Sequence, residues 1–387
     1  MILPALAEAA NAGGQATARI IAAFDLYRMR VAFITRSTLY TVKGGDTFQV
    51  AQTARHLEKL GIAVDILLTD QVIDYGRYDL LHFFNIIRPA DILCHIQPGK
   101  PFVVSTLLVD YSGYDKHHRK GLSGWFFRLL SPGAIEYCKT IARYFLGKDK
   151  LMTKSYLWKG QQSSVQEIID NASLLFSNST LESRQLAEKY EVKADCISIP
   201  NGLDAELFSY DERQQKDERL VLCVARIEGI KNQLNLIKAL NNTRYRLLII
   251  GDHAPGHIDY YRECRRIARG NVEFIRHIPQ HDLVEYYQKA KVHILPSWFE
   301  TCGLSSLEAG AMGCNIVITD KGYTREYYGD YAFYCDPDDP ASIFMAVDNA
   351  ARSIFRIGLR NRILTNYTWG RAAAGIARGY DKILGTI

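Results

Sequence analysis

No stretch of this 387-residue sequence approaches the ~18 consecutive apolar residues that a membrane-spanning helix needs. Cysteine pairs at metal-binding or redox spacing are also lacking. The eight cysteines (Cys94, Cys138, Cys196, Cys223, Cys264, Cys302, Cys314 and Cys335) are scattered, several of them inside apolar runs. They read as reduced core residues of a cytosolic chain. His277 and His281 have i,i+4 spacing, but Pro279 between them breaks the helix face that a zinc pair would share. There is no short-period repeat and no low-complexity tract. Residues 1–28 have no basic region ahead of their apolar part, and Glu8 interrupts it. A secretory leader is therefore not expected. This stretch reads either as an extension ahead of a start at Met29 or as a loosely docked helix, and no role is assigned to it.

What is present is a globular composition, 48% hydrophobic and 23% charged. The length exceeds the roughly 250–300 residues at which single cores stop growing, which predicts two domains. From Arg30 onward, short apolar runs alternate with helical patterns: "VAFIT" (31–35), "AVDILLT" (63–69), "DLLHFF" (79–84), "FVVSTLLV" (102–109) and "SLLFSNS" (173–179). Such runs, rich in Val, Ile, Leu and Phe, fit parallel strands covered on both faces. The rhythm pauses at "CISIPNGLD" (196–204) and restarts with "LVLCVAR" (220–226). The expected architecture is α/β, with two doubly wound, Rossmann-like domains facing a cleft. The first spans 29–200 and the second 201–368, with a last helix at about 369–387 returning to the first. Ligands of such sheets bind beyond the carboxyl ends of the strands.

Several strand-end turns carry polar groups. In "VARIEGIKNQ", Arg226 and Lys231 could neutralise a diphosphate, or they are solvated surface charges. Gly251 in "IIGDH" permits close backbone approach or simply ends a strand. In "PSWFETCGLSSLEAGAMG", Gly303 precedes a helix whose first amides, at Leu304 and Ser305, would attract an anion. Glu308 lies one turn in, where it could hold a ribose, and Glu300 precedes the turn. Ser305-x-x-Glu308 matches a capping box equally well. "DKGYTREYYGDYA" (320–332) is a fourth turn of this kind, and together the four point to one shared ligand. "DPDD" (336–339) resembles a metal motif, but Pro337 and Pro340 mark it as a surface turn.

The chain from Met29 onward resembles glycosyltransferase family 4, retaining enzymes of the GT-B fold with a Glu-x7-Glu signature. The resemblance is strongest in "VARIEGIKNQ", "LPSWFETCGLSSLEAGAMG", "TDKGYTREYYGD" and "NYTWGRAAAGIARGYDKIL". It implies that Arg226 and Lys231 bind the donor diphosphate, Glu308 the nucleotide ribose and Glu300 the transferred sugar near its anomeric carbon. Gly303, Leu304 and Ser305 would hold the β-phosphate through their backbone. Gly44 and Gly45 match the family's glycine loop at the cleft. Two positions depart from the pattern. Cys302-Gly303 stands where Phe-Gly is common, and "VDYSGYD" lacks a histidine that many members carry. Asp110 and Tyr111 are the acceptor-side candidates there, or part of a polar loop.

The implied activity is transfer of a sugar from a UDP- or GDP-sugar to a glycan or lipid-linked acceptor, as in surface polysaccharide or glycolipid biosynthesis. No cofactor or essential metal is expected. The alternatives are a non-catalytic nucleotide- or membrane-binding subunit and an epimerase of the same fold. Between Lys116 and Lys159, ten Lys or Arg face two acids, a net +8, with Trp125, Phe126, Phe127, Tyr144, Phe145 and Trp158 interleaved. This fits peripheral contact with an anionic membrane, at the inner face of the plasma membrane for a cytoplasmic chain. It also fits a solvated basic face. No nucleic-acid module is visible.

Overall fold

The computed structural model describes residues 29–111, 114, 130–147 and 150–385. Residues 1–28 and the cluster Trp125, Phe126 and Phe127 lie outside them. In the first domain the elements run β1 (Met29–Thr35), α1 (Gly45–Glu58), β2 (Ile62–Leu68), β3 (Leu80–Phe84), α2 (Pro89–Leu93) and β4 (Phe102–Ser105). Then come α3 (Pro132–Phe145), α4 (Ser155–Asn171), β5 (Leu174–Ser177), α5 (Thr180–Lys189) and β6 (Cys196–Ser198). The second domain runs β7 (Asp217–Val224), α6 (Gln233–Leu240), β8 (Arg246–Ile250), α7 (Ile258–Ile267), β9 (Val272–Ile275), α8 (Gln280–Lys289) and β10 (Ala290–Leu295). It continues with α9 (Leu304–Ala311), β11 (Asn315–Thr319), α10 (Thr324–Tyr328), β12 (Phe333–Cys335), α11 (Pro340–Arg352) and α12 (Ile357–Asn366), before α13 (Trp369–Leu384).

Each domain holds a six-stranded parallel sheet, in the orders β2-β1-β3-β4-β5-β6 and β12-β11-β10-β7-β8-β9. The strand sequences show why. On β1, Val31 and Phe33 enter one core and Ala32 and Ile34 the other, so both faces need covering. Parallel connections with helices on both faces supply that cover. α13 completes the first core with Ala373, Ile376, Ala377 and Tyr380. The Tyr380 hydroxyl meets His82 Nδ1 at 2.5 Å beneath the sheet. Burial lowers the His82 imidazole to about 3, so it sits there neutral.

One strand is shorter than expected. The apolar run 102–109 leaves the sheet after Ser105, because Leu107 adopts φ 47° and cannot continue the ladder. A buried carboxylate fixes this exit. Glu182 accepts from the Thr106 hydroxyl (2.5 Å), the Leu108 N–H (2.7 Å) and the Asn178 N–H (2.9 Å). All eight cysteines are free thiols. No helix among the described residues is long and apolar enough to cross a membrane.

Candidate active site

In an open parallel sheet the ligand crevice lies where the strand order reverses. In the second sheet that point falls between β7 and β10. Arg226 and Lys231 leave β7, and Pro296 to Glu300 leave β10, so the topology alone brings these sequence motifs together.

Backbone and amide contacts then set the distances. Lys231 closes a tight turn at Gly229–Lys231, and Asn232 follows in the left-handed region at φ 60°. The Asn232 amide donates to the carbonyls of Pro296 (3.0 Å) and Pro337 (2.7 Å). Trp298 N–H donates to the Ile230 carbonyl at 2.9 Å. Lys231 Nζ thereby reaches Glu300 Oε1 at 2.6 Å, and the Ser297 hydroxyl donates to the same oxygen at 2.6 Å. Glu300 is only 5% exposed. Burial pulls the Lys231 ammonium down, but the Glu300 carboxylate outweighs it and holds the group above its ordinary range. Arg226 pairs with Glu228 (2.8 Å) and crosses the cleft to the Lys43 carbonyl (3.2 Å). The two cations assigned to a diphosphate thus each already face a carboxylate.

The helix α9 is aimed at the same point. Gly303 is its N-cap at φ 65°, a conformation that favours glycine. The Ser305 hydroxyl donates to the Val224 carbonyl at the end of β7 (2.8 Å). Ser305 therefore anchors the helix to β7, and the capping box that the sequence equally allowed is not formed. Glu308 is occupied elsewhere. Its Oε1 accepts from Gln280 Nε2 (2.6 Å) and its Oε2 from the Tyr287 hydroxyl (2.8 Å). Burial raises its carboxyl to about 7, against the opposing pull of those two hydrogen bonds. The result is a carboxylate held in two-sided fashion, 7% exposed, on the helix that opens beside Glu300.

The first domain contributes from across the cleft. A side chain at Gly44 would lie 3.7 Å from Arg226 Nη1, and one at Gly45 4.0 Å from Leu304. The start of α1 thus lies within van der Waals reach of the second domain, while the tight contact at Gly44 is with Asp46 of its own domain. Asp110 turns away to pair with Lys189 at 3.1 Å. Tyr111 instead packs edge-on against Phe299, with ring centroids 6.1 Å apart. After the effect of its burial, the charge that acts most on its phenol is Lys231, followed by Glu300.

The fourth strand-end turn does different work from the one its sequence suggested. Gly322, at φ 102°, lies so close to the Glu300 carbonyl that a Cβ would collide with it. The residues that follow grip the first domain instead of facing the crevice. Glu326 accepts from the Thr180 N–H (2.8 Å), the Thr180 hydroxyl (2.9 Å) and the Leu181 N–H (3.0 Å), which caps α5 from the other domain. Tyr323 donates to the Leu108 carbonyl at 2.9 Å, and Tyr327 to that of Asn178 at 2.7 Å. "DPDD" forms the turn before α11, with Asp339 as N-cap. Motif reading did not single out Gln280, Tyr287, Glu228 or Ser297. Glu228 and Ser297 lie inside quoted motifs, whereas Gln280 and Tyr287 carry no local signal, because their role depends on where α8 packs.

Comparison with known proteins fits this geometry. Residues 204–355 match the family Glycosyl transferases group 1. The chain is 25% identical over 340 residues to a D-inositol 3-phosphate glycosyltransferase of Corynebacterium aurimucosum, covering 76% of this chain and 80% of that one. A glycogen synthase of Mycobacterium tuberculosis is 29% identical over 202 residues, 48% of each chain. Among solved structures, sucrose-phosphate synthase of Thermosynechococcus elongatus superposes with a TM-score of 0.70 at 17% identity, over 93% of this chain and all of that one. HepE of Anabaena, solved with UDP and glucose, gives 0.67 at 15% identity, over 92% and 100%. Two parallel-sheet domains with this crevice define the GT-B architecture. The chain is a glycosyltransferase, and the group 1 match falls on the domain that carries Arg226, Lys231, Glu300 and Glu308.

Proposed function

We propose that the chain transfers a sugar from a nucleoside diphosphate sugar, with retention at the anomeric carbon, to a glycan or lipid-linked acceptor. The observation that carries this reading is the convergence of Lys231–Glu300, Arg226 and the start of α9 on one switch point, with Glu308 a turn further in. Arg226, Lys231 and the first amides of α9 would bind the diphosphate and stabilise the charge it gains as the C1–O bond breaks. Glu308 would accept from the ribose hydroxyls, and Glu300 would orient the sugar. The acceptor oxygen then bonds to C1 on the face the diphosphate leaves, and its proton passes to the departing phosphate oxygen. UDP is the first nucleotide to test, since the HepE structure holds it.

Calorimetry with UDP and GDP, followed by turnover with the matching nucleotide sugars, tests this. Glu308→Ala should weaken nucleotide binding. Glu300→Ala should spare it and abolish transfer. Equal nucleotide affinity in wild type and Glu308→Ala removes the ribose assignment.

Membrane contact belongs to the same reading. Phe145 and Trp158 are 77% and 81% exposed. Several of the nearby cations are spoken for, however: Lys139 pairs with Glu136, Lys150 with Asp70 and Lys159 with Glu167. The exposed rings therefore supply more of the expected attraction to an anionic lipid surface than the raw charge count implies.

A further inference from the structure

One oxygen of Glu300 takes two donors, and the two differ in kind. Lys231 Nζ and the Ser297 hydroxyl both reach Oε1 at 2.6 Å. Among the described residues the other oxygen, Oε2, has no hydrogen-bond partner, and it is not one of the atoms closed off from solvent. Lysine is a compact charge on a flexible stem, so it follows a carboxylate wherever that turns. Serine is short, with a single torsion ahead of its oxygen. Ser297 is fully buried, and the backbone around it is tied down. Trp298 N–H donates to the Ile230 carbonyl (2.9 Å), Glu300 N–H to that of Lys321 (3.1 Å) and Tyr323 N–H to that of Glu300 (2.9 Å). The hydroxyl is therefore a fixed point, and the ammonium is not.

The last torsion of a glutamate is broad and roughly twofold, with no strong preference of its own. A single mobile partner leaves it loose. A fixed donor three residues back in the chain decides which oxygen is held and which is left over. Lys231 also has a second duty, since the reading above places it on the donor diphosphate. We infer that Ser297 is a positioning residue for sugar transfer: its hydroxyl holds Oε1 so that Oε2 faces the donor sugar, and it keeps that orientation when the diphosphate draws Lys231 away. The inference rests on the roles given above to Glu300 and Lys231. It gives Ser297 no contact with substrate, only control of the carboxylate that makes one.

The test measures release of UDP from UDP-glucose and of GDP from GDP-mannose by wild type, Ser297→Ala and Ser297→Thr, beside calorimetry with the bare nucleotides. Turnover is read well below the melting point of every variant, so that lost folding does not pass for lost rate. Alanine leaves Lys231 and the backbone in place and removes only the fixed donor. The bond at stake is to a charged group, so kcat should fall roughly tenfold, with the nucleotide Kd and the donor KM within about twofold of wild type. Ser297→Thr keeps a hydroxyl on the same carbon and should recover most of the lost rate. Wild-type kcat in Ser297→Ala would overturn the inference. So would a nucleotide Kd that rises as much as kcat falls, because Ser297 would then serve the diphosphate through Lys231. A threonine variant that melts with wild type but turns over as slowly as the alanine one would overturn it too. Wild type that releases neither nucleotide defeats the proposed function first, and wild-type turnover in Glu300→Ala defeats the reading of Glu300. Either result removes the inference with it.

Discussion

Nucleotide binding should tighten about ninefold between pH 6 and pH 8, and the Glu308 carboxyl should be the cause. Its midpoint lies at about 7, because burial disfavours the charged form. Only the carboxylate accepts from both ribose hydroxyls without losing a proton first. About one-tenth of the molecules carry it at pH 6 and about nine-tenths at pH 8. Affinity follows that fraction, rising through pH 7 and levelling above it. The nucleotide's own phosphate titrates nearby, so the measured quantity is the ratio of wild-type to Glu308→Gln affinity at each pH, from calorimetry. The variant keeps the shape and has no proton to lose. A ratio that stays constant from pH 6 to pH 8 would refute the reasoning. The same shift has a stability counterpart of opposite direction. A folded-state midpoint raised from 4.5 to about 7 favours folding most at low pH, and that contribution is lost as pH rises through 7. The loss amounts to ~3 kcal/mol at pH 8. Glu308→Gln should therefore melt higher than wild type at pH 8, with the difference shrinking as pH falls toward about 4.

Tyr287→Phe removes one of the two bonds that pull the Glu308 carboxyl down, so the midpoint of the wild-type pH profile should move upward; an unmoved midpoint disposes of the Tyr287 contact. Gly322→Ala puts a Cβ into the Glu300 carbonyl at a left-handed φ, and denaturant unfolding should show a loss of at least ~2 kcal/mol. Glu326→Ala strips the cap from α5 and one tie between the domains. Small-angle scattering should report a more open particle, and an identical curve argues that the tie is redundant. Replacing Phe145 and Trp158 by serine should reduce sedimentation with phosphatidylglycerol vesicles, while equal sedimentation ends the case for that surface.

Much of the fold can be read in the sequence because parallel strands buried on both faces are written as unbroken apolar runs, as in "VAFIT" and "YRLLII". The same rule overreached at 102–109, where apolarity continues past the point at which Leu107 turns the backbone. The site was legible in part for a topological reason. Arg226, Lys231 and Glu300 follow the strands flanking the switch point, so local motifs and global geometry agree. Gln280 and Tyr287 were invisible, since a glutamine and a tyrosine on an amphipathic helix look like surface and core until α8 is docked against α9. The turn at 320–332 shows the converse: a strand-end glycine turn looks like a ligand loop, and only the neighbouring domain shows that the partners of Glu326 are the amides and hydroxyl at the start of α5. Tyr111 was noticed in sequence, but its contact with Phe299 was not, because the two lie more than a hundred residues apart in the chain.

The chain leaves the first domain near Leu203 and comes back at Trp369, and the two crossings lie side by side. Leu203 N–H donates to the Tyr367 carbonyl at 3.0 Å, and Trp369 N–H to the Leu203 carbonyl at 3.2 Å. A body held by one strand can swivel in any direction, whereas one held by two bonded strands has a single easy axis. Any rotation of the second domain would therefore be guided by this paired crossing. A substitution that disturbs this paired crossing would act on both domains at once, because the same two segments belong to each.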